Sequence, residues 1–194
     1  MNLPPLDVAP GDLTRLREQL AASAARDGLL DVAYTTIDTP VGPLLLAATG
    51  RGLVRVAYDR EGHDRVLDDL ARLLSPRVLR APGRLDPAAR EIDEYFTGAR
   101  TAFDLPLDRS LSTGFRQLVQ LHLPDIGYGH TRSYKQVAEL VGNPRAFRAV
   151  ATACATNPLP VVVPCHRVLR ADGTLGGYIG GLDAKAALLS LEAG

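Results

Sequence analysis

The sequence lacks tryptophan, has one methionine and two cysteines, and only Lys135 and Lys185 among its 22 basic residues are lysines. The cysteine count removes a class of protein. Two cysteines are too few for a disulfide-stapled scaffold. The start, Met1-Asn2-Leu3-Pro4-Pro5, carries neither a basic nor an apolar leader segment. Free thiols in a reducing compartment, with a cytoplasmic location, are therefore expected. No stretch approaches the roughly 18 apolar residues that a membrane-spanning helix needs. Formal net charge is zero, so the chain as a whole is neither a polycation nor an acidic tail.

What is present bounds the rest. A chain of 194 residues, 46% of them apolar, can bury a real core in one modest domain or two small ones. The neutral total hides an asymmetry. Through Asp108, 13 arginines and no lysine face 17 acidic residues; from Arg109 onward, 9 basic residues face 5 acidic ones. A basic second half points mildly to a polyanionic partner.

The first half reads as α+β. Residues up to about Ala9 look irregular. Leu13, Leu16, Leu20 and Ala24 then fall at helical spacing up to about Arg26, and Asp27-Gly28 ends that helix. Residues 31–37, 43–48 and 53–58 read as strands separated by turn chemistry, an antiparallel meander. Helices are expected over 63–74 and, behind the Asp86-Pro87 cap, to about Phe96. A short strand at 78–80 and an extended piece at 103–107 complete this part. No chemistry is legible in it.

The second half changes character. A helix is expected from Gly114 to His122, a short one after the Ser133 cap, and a third opened by Asn143-Pro144 and running from Arg145 to about Ala155. Two short helices around a tight Gly-Asn turn have the spacing of a helix-turn-helix as well as of a plain helical hairpin. In that reading Arg145 and Arg148 share a face. The stretch Asn157 to Val168 follows. Leu159, Val161, Val162 and Val163 read as a buried strand that Pro164 terminates, delivering Cys165 to a turn beside His166. Gly176-Gly177-Tyr178-Ile179-Gly180-Gly181 then implies backbone held tightly against something. A last helix runs from about Leu182 to Glu192.

A thiol with ordinary pKa near 8.5 needs a base or a positive neighbour to react at neutral pH. Adjacent residues on an extended chain point apart, so His166 reaches Cys165 only through a turn or a bridging water. A carboxylate behind the histidine, Glu192 or Asp183, would orient it. Cys154, Cys165 and His166 are too few and wrongly spaced for a closed zinc site. The second cysteine of a base-deaminase signature is missing.

These residues resemble a known family. Ser133-Tyr134, Asn143-Pro144, Arg148-Ala149-Val150, Asn157-Pro158, the pentapeptide Pro164-Cys165-His166-Arg167-Val168, Tyr178 with Gly180-Gly181, Lys185 and Glu192 are similar to the O6-alkylguanine-DNA alkyltransferases over about residues 30–193. The resemblance implies an α+β fold. Residues 1–28 would be an extension, 29–108 a small RNase H-like domain, and 109–194 a mostly helical, winged-helix-like helix-turn-helix domain. It implies direct-reversal repair of O6-alkylguanine, with O4-alkylthymine left open as a further substrate. Minor-groove binding and nucleotide flipping would precede one irreversible transfer to Cys165. His166 would be the base, Glu192 its orienting partner and Asn157 the residue ordering the turn. Tyr178, Val168, Ile179 and Lys185 would form the base pocket. Arg148 would enter the duplex, Tyr134 would press a phosphate, and Ser133, Arg145 and Phe147 would lie on the DNA face. Neither cofactor nor metal is implied. The partner would be double-stranded DNA, met by a monomer, with cooperative binding left open and no membrane contact. Gln120 stands where the family often has tryptophan, Phe147 where a small residue is usual, and Ala151 and Thr152 where glycine is common. A lesion-binding relative without repair and a thiol hydrolase remain alternatives.

Overall fold

A computed structural model describes residues 10–194; the reading of the chain up to Ala9 as irregular lies outside them. Helix α1 (Pro10–Arg26) ends at Gly28, whose φ of 66° is left-handed. Its last turns pack through Ala21 and Ala24 against Leu30, Ala33 and Ala81.

Strands β1 (Val32–Ile37), β2 (Leu44–Thr49), β3 (Gly52–Tyr58) and β4 (Val78–Arg80) form one sheet in the order β3-β2-β1-β4. The first three are the expected meander. β4 instead joins β1 in parallel, because helix α2 (His63–Leu73) carries the chain back across the sheet. The unbroken apolar run of β2 follows from burial on both faces. Leu45 and Ala47 meet Val66 and Leu70 of α2. Leu44, Leu46 and Ala48 belong to the main core, with Ile92 and Tyr95 of helix α3 (Asp86–Phe96). The extended piece expected at 103–107 reduces to a single bridge between Leu53 and Leu107.

The second half contains helices α4 (Gly114–His122), α5 (Tyr134–Leu140), α6 (Phe147–Ala155) and α7 (Leu182–Ala193). Short strands β5 (Arg132–Ser133) and β6 (Val168–Leu169) pair in parallel beside them. α5 starts on a reciprocal cap: the Gln136 N–H donates to Ser133 Oγ at 3.2 Å, and the Ser133 N–H donates to Gln136 Oε1 at 2.7 Å. Gly142, at φ 75°, turns the chain toward α6. That helix begins at Phe147 rather than at Arg145. Asn143 to Ala146 is a turn closed by the Ala146 N–H on the Asn143 carbonyl, so Asn143-Pro144 makes the turn and does not cap the helix. Arg145 therefore lies before α6 instead of sharing a helical face with Arg148.

The strand expected over Leu159 to Val163 is absent. These residues are buried but follow irregular turns, and Val161 has a φ of 71°. Pro158, Pro160 and Pro164 remove three N–H donors that a ladder would need. The Asn157 side chain supplies internal partners instead: its Nδ2 donates to the Val163 carbonyl at 2.8 Å, and its Oδ1 accepts the Leu159 N–H at 3.1 Å. The sheet also helps, since the Val56 N–H and Arg55 Nη1 both donate to the Pro158 carbonyl.

Candidate active site

Cys165 opens a single 3-10 turn, Cys165–Arg167, immediately after that irregular loop. The same Asn157 amide that holds Val163 donates to Cys165 Sγ at 3.2 Å. One side chain thus shapes the loop and touches its sulfur. The thiol is 2% exposed. Burial pushes its pKa up to about 11, against the opposing pull of Asn157 and the Lys185 charge. At rest Cys165 is a neutral thiol, and reaction requires that its proton be taken away.

The turn brings His166 into a fully buried position but makes no side-chain hydrogen bond between it and Cys165. His166 Nε2 lies 2.9 Å from Glu192 Oε1. Further groups donate to that carboxylate, among them the Gly129 N–H at 3.3 Å to Oε2. Arg167 does so through Nε (2.8 Å to Oε2) and Nη2 (2.8 Å to Oε1), and the Tyr95 hydroxyl reaches Oε1 at 2.7 Å. Burial pushes Glu192 up, but the hydrogen bonds of His166 and Arg167 prevail and bring it to about 2. An ionised carboxylate only accepts, so Nε2 carries the imidazole proton. Nδ1, buried and without a partner among the described residues, then keeps its lone pair. Burial also lowers the His166 pKa, with Glu192 opposing, and the ring stays neutral.

The signs predict acid sensitivity. Both groups bind protons more readily in the unfolded chain. Stability should be full above about pH 6.5, fall as unfolded His166 charges below that value, and fall again below 4.5 toward about 2 as unfolded Glu192 protonates. Thermal unfolding of wild type and His166→Gln between pH 7.5 and 5 checks the first step: wild type should lose more stability. Equal losses would contradict a buried neutral His166.

Beside the thiol, Lys185 is fully buried and its Nζ donates to the Val168 carbonyl at 2.6 Å. Burial lowers its pKa, while Cys165 and Cys154 raise it. Val168 is thus held by Lys185, and Ile179 is half-buried next to Tyr178. Gly176 and Gly180, on either side of Tyr178, meet side chains of this same chain. A Cβ on Gly176 would lie 2.2 Å from the Tyr134 hydroxyl, and one on Gly180 would lie 2.5 Å from the Tyr58 ring.

Ser133 and Tyr134, at the start of α5, are half-buried, whereas Arg145, Phe147 and Arg148 are exposed together before and at the start of α6. Arg148 Cζ sits 5.6 Å from the Phe147 ring centroid. Gln120 is not on this face. It is buried, and its Nε2 donates to the Ala153 carbonyl of α6 at 3.0 Å. It therefore fastens α4 to α6.

The sequence reading missed Tyr95, Tyr58 and the part played by Arg167. The first two come from elements remote in the chain, and no local pattern marks them. Arg167 was visible inside the pentapeptide, but its carboxylate partner lies 25 residues on.

Fold and site together define an α+β protein built around a shielded thiol. A family model described as the DNA-binding domain of 6-O-methylguanine DNA methyltransferase matches residues 114–194, and one described as its ribonuclease-like domain matches residues 32–109. A methylated-DNA–protein-cysteine methyltransferase of Methanosarcina barkeri is 40% identical over 159 residues, 82% of this chain and 96% of that one. One from Mycobacterium tuberculosis is 41% identical over 161 residues, 83% of this chain and 92% of that one. A crystal structure of the Mycobacterium tuberculosis O6-methylguanine methyltransferase aligns with a TM-score of 0.73 at 40% identity, covering 84% of this chain and 93% of that one. Its complex with DNA gives 0.72 at 40% identity, over 83% and 92%. The chain therefore belongs to the 6-O-methylguanine DNA methyltransferase family: it is a DNA-binding enzyme of DNA repair, a methylated-DNA–protein-cysteine methyltransferase.

Proposed function

We propose that the protein repairs O6-alkylguanine in duplex DNA by moving the alkyl group to Cys165 in a single, irreversible turnover. The observation that carries this reading is the buried thiol capped by Asn157, one residue from a neutral imidazole whose free Nδ1 is backed by Glu192. In the reaction His166 Nδ1 takes the Cys165 proton through one water. The thiolate attacks the alkyl carbon, the S–C bond forms, and the bond from that carbon to O6 breaks. The leaving guanine takes a proton at the base edge, with the Tyr178 hydroxyl as donor, and the imidazolium restores the proton balance. The product is a thioether, which has no route back to a thiol here. O4-alkylthymine presents the same alkyl–oxygen bond and is the expected second substrate.

A thiol this deeply buried is reached only by a base taken out of the stack. The exposed group of Arg145, Phe147 and Arg148 supplies the means. Arg148 fills the space left in the duplex from the minor groove, Tyr134 presses the neighbouring phosphate, and Ser133 and Arg145 hold the backbone. Tyr178, Ile179 and the Lys185-held Val168 receive the base. The protein acts as a monomer in the compartment that holds the DNA.

A time course with excess duplex carrying labelled O6-methylguanine tests the turnover. Transfer should stop at one methyl per protein. Binding without transfer would assign the lesion-binding alternative, and continued turnover of esters or amides would assign a hydrolase.

A further inference from the structure

We propose that Tyr58, on the sheet, is a positioning residue that sets which adduct sizes the pocket accepts, by fixing Tyr178 and the loop from Gly176 to Gly181. The inference rests on the alkyl-acceptor reading above and adds a task for the half of the chain that showed no chemistry. Tyr58 ends β3 and is 3% exposed. Its hydroxyl lies 3.0 Å from that of Tyr178, with the two rings edge to face at 5.8 Å. Tyr178 in turn stands edge-on to the His166 ring at 6.4 Å. The backbone at Gly180 rests directly on the Tyr58 ring, where any Cβ would collide, and a Cβ on Gly181 would lie 2.3 Å from Arg60 Nη1. Burial, and with it the charge that a Cys165 thiolate would carry, pushes both tyrosine hydroxyls up.

The backstop is itself anchored. The Tyr58 N–H donates to Glu61 Oε1 at 2.8 Å, and the other oxygen of Glu61 pairs with Arg55. Arg55 also donates to the carbonyl of Pro158, in the loop beneath Cys165. One short segment, the end of β3 and the 3-10 turn after it (Arg55 to Glu61), therefore holds the loop below the thiol and the loop beside it. Their separation is set by Tyr58 rather than by the helix-turn-helix half alone. Loss of the hydroxyl pair frees Tyr178 and lets the glycine loop give way to a bulkier adduct.

The test compares single-turnover transfer from O6-methyl- and O6-benzylguanine in one duplex sequence, for wild type, Tyr58→Phe, Tyr178→Phe and the double variant. Tyr58→Phe keeps the ring and should raise the benzyl-to-methyl rate ratio by about three- to tenfold, the worth of one neutral hydrogen bond. In the Tyr178→Phe background the same change should leave the ratio where it was, because Tyr58 acts through Tyr178. A merely structural residue would lower both rates together and leave the ratio alone in either background. An unchanged ratio in Tyr58→Phe, or the same shift in both backgrounds, overturns the inference while wild-type transfer still upholds the alkyl-acceptor reading. Failure of wild type to transfer from either adduct overturns both.

Discussion

Arg148→Ala is expected to cut alkyl transfer from duplex DNA by about ten- to hundredfold and to leave reaction with free O6-benzylguanine base unchanged. The reason is energetic. Extruding a nucleotide costs a few kcal/mol of stacking and pairing, and a planar group inserted in its place recovers about 1–3 kcal/mol per stacked base. The guanidinium of Arg148 is exposed at the start of α6 and already lies near the ring of Phe147, which is 45% exposed. The free base never leaves a duplex and needs no replacement. Arg148→Lys should restore little, since a flexible ammonium has no plane to stack. Phe147→Ala should weaken duplex repair less than Arg148→Ala does, because the ring supports the wedge from beside it. Equal losses on duplex and free base would remove Arg148 from the wedge role.

Glu192→Gln should damage both stability and chemistry. The carboxylate is met by His166, by two nitrogens of Arg167 and by Tyr95, all inside the protein. An amide at that position leaves the buried Arg167 charge without its counterion, a loss on the order of 3–5 kcal/mol. For a chain of this size that lowers Tm by roughly 10 °C. The amide also no longer obliges Nε2 to carry the imidazole proton, so the lone pair is no longer confined to Nδ1. Transfer should slow by about a hundredfold or more, the usual worth of a positioned base, when measured well below the lowered Tm. Glu192→Asp keeps the charge and should lose less of both. A Glu192→Gln protein with wild-type melting and wild-type rate would show that this network neither holds α7 in place nor orients His166.

Much of this was legible in the sequence, for identifiable reasons. α2 follows from periodic apolar spacing, α3 from the Asp86-Pro87 start and α5 from the Ser133 cap. The pentapeptide around Cys165, with Asn157 before it and Glu192 after it, pointed to a reacting group and its helpers; the structure pairs Asn157 with Cys165 and His166 with Glu192. The rest depended on tertiary packing. The valine run before Cys165 has the composition of a strand, yet three prolines and the left-handed Val161 make it a loop whose partners come from Asn157. The start of α6 moved because Asn143-Pro144 suits a turn as well as a cap. Tyr58 and Tyr95 reach the site from a sheet and a helix far back in the chain, where nothing in their neighbours marks them. Gln120, which stands where the family often has tryptophan, is a buried link to Ala153.

The central claim is that the alkyl group ends on Cys165. Intact-protein mass spectrometry after incubation with an O6-methylguanine duplex, followed by peptide mapping, tests it most directly. The protein should gain the mass of one methyl group in place of one hydrogen, located on Cys165, and Cys165→Ala should gain nothing while still binding the duplex. An unchanged wild-type mass, or a methyl group on Cys154, would contradict the account.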